Sequence, residues 1–152
     1  MESLRSLSAG PKLVLVAAPL LFVSLFLTWQ KLVVDFGPAG SAETLLDGWD
    51  LWGLLIGLLA VSLTVLVVVV YVTEVELPEN VPWSGLLLGG GIAVLVLTVV
   101  KTLLDADSAW ASYAGIVLAA LVALGCYETW AEESGRASFV GRIRRRGLSS
   151  AA

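Results

Sequence analysis

Six carboxylates stand beside the apolar segments of this chain: Asp35, Glu43, Asp47, Asp50, Asp105 and Asp107. Asp47, Asp50, Asp105 and Asp107, with Trp49 and Trp52 beside them, form the surface best suited to gather a divalent cation, a cationic ligand or an envelope component, because hard cations take oxygen ligands. Their spacing matches no calcium loop. An aspartate at a helix start has a plainer role, capping free N–H groups at the positive end of the helix dipole. Lys101 is the basic counterpart, with Asp105 four residues on, the separation at which helix neighbours pair. Lys101 is expected to be an interfacial anchor that extends its ammonium to water. The other reading is a cation poised over an outward pocket.

Several chemistries are missing. The chain has no histidine, which removes the commonest general base, transition-metal ligand and pH switch. A single cysteine, Cys126, excludes an internal disulfide and a cysteine-based metal cluster. Ser62, Thr64 and Thr98 are isolated hydroxyls able to bond to the backbone one turn back. No convergent polar constellation can be assembled from these residues, so neither catalysis, a cofactor nor a metal is expected. One arginine run, Arg142, Arg144, Arg145 and Arg146, suits contact with anionic lipid. It is too little for nucleic-acid binding.

The elements that must position these residues are helices in lipid. Apolar residues make up 58% and charged residues 14% of the 152-residue chain, against about 45–50% and about 25% in globular proteins. A water-soluble fold of this size could not hide so much apolar side chain. Four stretches, 13–29, 52–72, 85–104 and 109–127, approach the ~20 residues that cross a bilayer. Between Leu54 and Val70 there are thirteen Leu, Ile or Val and no charge, which favours insertion by about 5 kcal/mol. The run from Val67 to Val70 would suit a strand in water; in lipid, where each backbone polar group needs a partner within its own segment, it reads as helix. Arg5 and Lys12 precede the first stretch as in a signal peptide, but no small-residue cleavage site follows closely, so that helix is expected to be retained.

Lysine and arginine set the orientation. Arg5, Lys12, Arg136, Arg142, Arg144, Arg145 and Arg146 lie on the side of the termini, and Lys31 and Lys101 on the other. Both termini are therefore expected in the cytoplasm, in an inner-membrane protein. Trp29, Trp49, Trp52 and Trp110 fall at the outer boundary, and Trp83 and Trp130 at the inner one, as interfacial rings should. The expected fold is an all-α, four-helix, up-down-up-down antiparallel bundle over 1–130, with an outer loop at 30–51 and a basic, poorly ordered tail at 131–152. The outer loop is the segment large enough to fold over the bundle. The two hairpins of helices share features, with Asp47, Trp49 and Trp52 opening one return helix and Asp107, Trp110 and Tyr113 the other. A parallel repeat and generic interfacial chemistry both account for this.

Small residues recur four apart: Gly53 with Gly57, Gly85 with Gly89, and Ala111, Gly115, Ala119 and Ala123. Such spacing lets backbones approach closely, which drives helix association where lipid is as apolar as leucine. Gly89, Gly90 and Gly91 can serve packing or act as a hinge or pore contact. Pro19 is expected to free the carbonyl of Leu15 and bend the first helix. No charge lies at the membrane centre, which argues against a proton-coupled pump or voltage sensor.

Trp49-Asp50-Leu51-Trp52 after a first helix resembles the tryptophan-containing first loop of claudin-type tetraspan proteins. The cysteine pair of that loop is absent, so the function is not carried over. Leu25-Phe26-Leu27-Thr28-Trp29, a Gly/Ala/Ser loop and a Trp-opened second helix resemble small four-helix membrane proteins of high-GC bacteria, a likeness that implies a fold and no activity. The residues lead to a non-catalytic accessory or scaffold subunit that meets lipid and either a membrane-protein partner or further copies of itself. The alternative is a small oligomeric channel, transporter or outward-facing sensor using the acidic loop.

Overall fold

The structure is a computed structural model that describes residues 7–73, 78, 81–105 and 108–149, the side chains of 39 and 136–149 excepted. It is 73% helical. Helix α1 (Ala9–Ser24) leads into strands β1 (Thr28–Asp35) and β2 (Ser41–Asp47), followed by helices α2 (Leu51–Val67), α3 (Trp83–Leu104) and α4 (Trp110–Ser149). Beyond α2 the chain stays helical through one wider π turn, Val68–Val72, so the valine run is helix. Three helical segments, Leu51–Val72, Trp83–Leu104 and Trp110–Gly135, are long and apolar enough to cross a membrane.

Each helix packs against its neighbours in the chain, and α1 also closes on α4. The inward positions follow the helical period. Val14, Ala17, Ala18 and Leu21 meet Ile56, Ala60, Leu63 and Val67 on α2, Leu87 and Val94 on α3, and Ala119, Val122 and Cys126 on α4. Outward positions are just as apolar, Val16, Leu58, Val65, Val96 and Val117 among them. A helix apolar all round requires an apolar surrounding on every side.

One expectation fails at the end of α1. The first helix stops at Ser24 rather than reaching Trp29. Its last turn tightens into bonds between residues three apart: the N–H groups of Leu25, Phe26 and Leu27 donate to Phe22, Val23 and Ser24. The Ser24 hydroxyl donates to the Leu21 carbonyl at 2.7 Å, and the Trp29 indole N–H to the Ser24 carbonyl at 2.7 Å. These bonds satisfy carbonyls that a longer helix would have used. At sixteen residues α1 is roughly 24 Å long, short of the ~30 Å hydrocarbon layer.

The outer loop is a β-hairpin, so the described residues are not all-α. β1 and β2 pair antiparallel, from Thr28 opposite Asp47 to Asp35 opposite Ser41, with an irregularity between Thr28 and Gln30 that sets Trp29 apart. The turn takes positive φ at Gly37 (63°) and Gly40 (101°), backbone that a side chain would strain. The backbone of α4 continues as helix to Ser149.

Candidate functional site

Asp50 and Lys101 meet because antiparallel neighbours bring the start of one helix beside the end of the next. Asp50 caps α2: its Oδ1 accepts from the Gly53 N–H at 2.7 Å. Lys101 sits in the last turn of α3. The position continues the inward stripe Leu87, Gly91, Val94 and Thr98, so the side chain enters the bundle. The Lys101 Nζ donates to Asp50 Oδ2 at 2.7 Å and lies 3.5 Å from Asp105 Oδ2. It also stands over the Trp29 ring, 5.6 Å from its centroid, within reach of a cation–π attraction.

Lys101 is fully buried, at 0% exposure. This corrects the expectation of an anchor reaching to water. The lysine turns inward because two carboxylates and an aromatic face replace its hydration, whereas a lone buried ammonium would cost several kcal/mol. The carboxylates differ. The Asp50 side chain is 42% exposed and that of Asp105 6%. Burial pushes the Asp50 carboxyl upward, but the Lys101 hydrogen bond, the Gly53 N–H and the lysine charge together hold it below its ordinary 3.8. The buried Asp105 Oδ2 has no hydrogen-bond partner, so the ammonium 3.5 Å away is what offsets its desolvation.

Trp29, expected at the outer boundary, is fully buried within the chain, in a small cluster with Leu25 and Ala111. Its room comes from Gly115, where an added Cβ would lie 2.5 Å from the ring. Trp49, half-buried, sets its ring edge-on to Phe22 (5.5 Å) and Phe26 (5.0 Å), and its indole N–H is buried without a partner. Trp52 and Trp110 are exposed at 37% and 66%.

The proposed acidic surface therefore divides. Asp50 and Asp105 converge on Lys101, while Asp47 caps the Trp49 N–H at 3.1 Å. Asp35 accepts from the Gly37 N–H at 2.8 Å, and Glu43 pairs with Lys31 at 3.4 Å. Asp107 lies outside the described residues, as do the side chains of Arg142, Arg144, Arg145 and Arg146. Among the described residues no cluster of three His, Cys, Asp or Glu could hold a metal ion.

The glycines divide too. An added Cβ at Gly53 would collide with the Gly48 carbonyl, at Gly57 it would press on Leu25, at Gly90 on Leu63, and at Gly91 on Cys126. Gly89 has nothing within 4 Å, and Gly85 only the ring of Pro82 at 3.7 Å. A close approach of α1 and α4 uses a pair that sequence spacing did not reveal. A Cβ at Gly10 would lie 2.7 Å from the Gly125 carbonyl, and one at Gly125 2.9 Å from the Gly10 carbonyl. Glycines that pair between distant helices leave no local periodicity to read.

Comparison of the chain with protein-family models, curated proteins and solved structures found no match.

Proposed function

We propose that the chain is a non-catalytic, multi-pass integral membrane protein that serves as an accessory or scaffold subunit, offering the Gly85–Gly89 face of α3 to a partner transmembrane helix. The observation that carries this reading is the open space at Gly89. The glycines at 53, 57, 90, 91 and 115 are filled by contacts within the chain, whereas Gly89 lies between outward-facing Leu86 and Ile92 with nothing over it. A small residue exposed to lipid lets a second backbone come close.

In this reading all four helices span, α1 with help from the turn that follows it, and both termini are cytoplasmic. The excess of lysine and arginine at the terminal side supports that orientation, and it places the hairpin outside. Digestion of the arginine-rich tail by protease added to intact cells would overturn it. Transport or sensing through the acidic loop draws less support, because Asp50 and Asp105 face the buried Lys101.

The test is purification in native lipid. Gly89→Leu should abolish co-purification of a stoichiometric partner, or collapse a homo-oligomer, while leaving helicity and thermal stability unchanged. A wild-type protein that proves a lone monomer in native-like bilayers would reject the proposal.

A further inference from the structure

The hairpin is two-faced. Lys31 stands opposite Leu45, and Val33 opposite Glu43, and residues directly opposite share a face. One face therefore carries Lys31, Leu45, Val33 and Glu43, and this face turns toward the start of α4. Between them lies an open groove of about 460 Å³, lined by Thr28, Lys31, Glu43, Leu45, Ala109 and Trp110. We propose that this groove seats the headgroup of a zwitterionic phospholipid, Lys31 meeting the phosphate and Glu43 the ammonium. The inference rests on the membrane reading above.

Three features select that chemistry. Among the described residues that line it, the groove holds one charge of each sign, so a simple anion meets Glu43 and a simple cation meets Lys31, each unfavourably; a ligand carrying both charges satisfies the two together. The Lys31–Glu43 pair is about half exposed on both sides and 3.4 Å long. Such pairs hold together weakly, so each side chain can exchange its partner for a ligand charge at little loss. The wall is amphipathic and stands at a helix end: Trp110 opens α4 and is 66% exposed. In a spanning helix that position is the headgroup zone, where the positive end of the α4 dipole also favours the phosphate.

The experiment places the full chain in bilayers of equal phosphatidylethanolamine and phosphatidylglycerol and reads retained lipids by native mass spectrometry. The expected result is retention of phosphatidylethanolamine over phosphatidylglycerol by about fivefold or more, falling toward parity in both Lys31→Gln and Glu43→Gln. Free O-phosphoethanolamine should compete the retained lipid away. Equal retention, preference for phosphatidylglycerol, or a preference that both substitutions leave intact would overturn the proposal. Binding of O-phosphoethanolamine with no lipid retained would overturn the lipid as its source. Resistance to carbonate extraction, measured on the same samples, separates these failures from failure of the membrane reading itself.

Discussion

A lysine with no exposure, two aspartates and a tryptophan ring form the most constrained polar cluster among the described residues. Removing one member of a buried ion cluster leaves an uncompensated charge, a loss of about 3–5 kcal/mol. Lys101→Met should therefore destabilise the fold by roughly that amount, because Asp105 is then buried alone. Adding Asp105→Leu should recover much of the loss. Reversible unfolding in bicelles checks both, and a single variant as stable as wild type would show that the cluster contributes little. Acid acts on the exposed partner. The Asp50 carboxyl is held below its ordinary 3.8 in the fold, so its contribution is complete above that value. That contribution fades as pH falls through the lower folded value. Stability should be level above about pH 3.8 on account of this group and decline below it, with Asp50→Asn removing that part of the decline. Lys101 was legible in part: it continues the stripe Leu87, Gly91, Val94 and Thr98. Yet a lysine near a helix end has equal reason to reach outward, and only the carboxylate brought by α2 decides between the two.

At the level of elements, the hairpin is the clearest departure from what the chain alone suggests. A two-stranded sheet is marginal by itself, and this one is tied down at its base. The Ala109 N–H donates to the Trp29 carbonyl at 2.7 Å, and the Gly48 N–H to the Leu25 carbonyl at 2.8 Å. Gln30 also bridges to Ser108. The Trp29 side chain anchors the same region beneath, in the space above Gly115. Gly115→Val should push the ring out at a cost of about 1–3 kcal/mol. Amide exchange at 28–35 and 41–47 should then quicken more than exchange in α2 or α3. Uniform quickening would mean that the glycine supports the whole bundle rather than the hairpin. The sequence of 30–47 hid this element because Leu32, Val33 and Val34 run without alternation beside a Gly-Pro turn, and because the anchoring partners lie on α1, α4 and the segment before α4. Helix α1 ends early for a different, local reason. Leu25, Phe26 and Leu27 are apolar enough to extend a span, but their own N–H groups, the Ser24 hydroxyl and the Trp29 indole cap its last carbonyls first.

For the whole molecule, the small-residue positions distinguish a fold from an assembly. Gly53→Leu should unfold the α2 start, since its added side chain meets the Gly48 carbonyl, whereas Gly89→Leu should spare the fold and affect only association. Spacing made these two look equivalent; packing makes them opposite. What the sequence determined alone was the apolar surrounding and the helical type of the long apolar runs. The apolar fraction, the charge-free runs and the lack of histidine and disulfide follow from composition, and helix follows from the need to satisfy backbone groups in segments without water. Those are properties of a segment and its surroundings, summed over many residues. The inward turn of Lys101, the burial of Trp29, the hairpin and the assignment of each glycine were decided only by tertiary structure. Most of these depend on atoms supplied by another element, and no local pattern records where those atoms will stand.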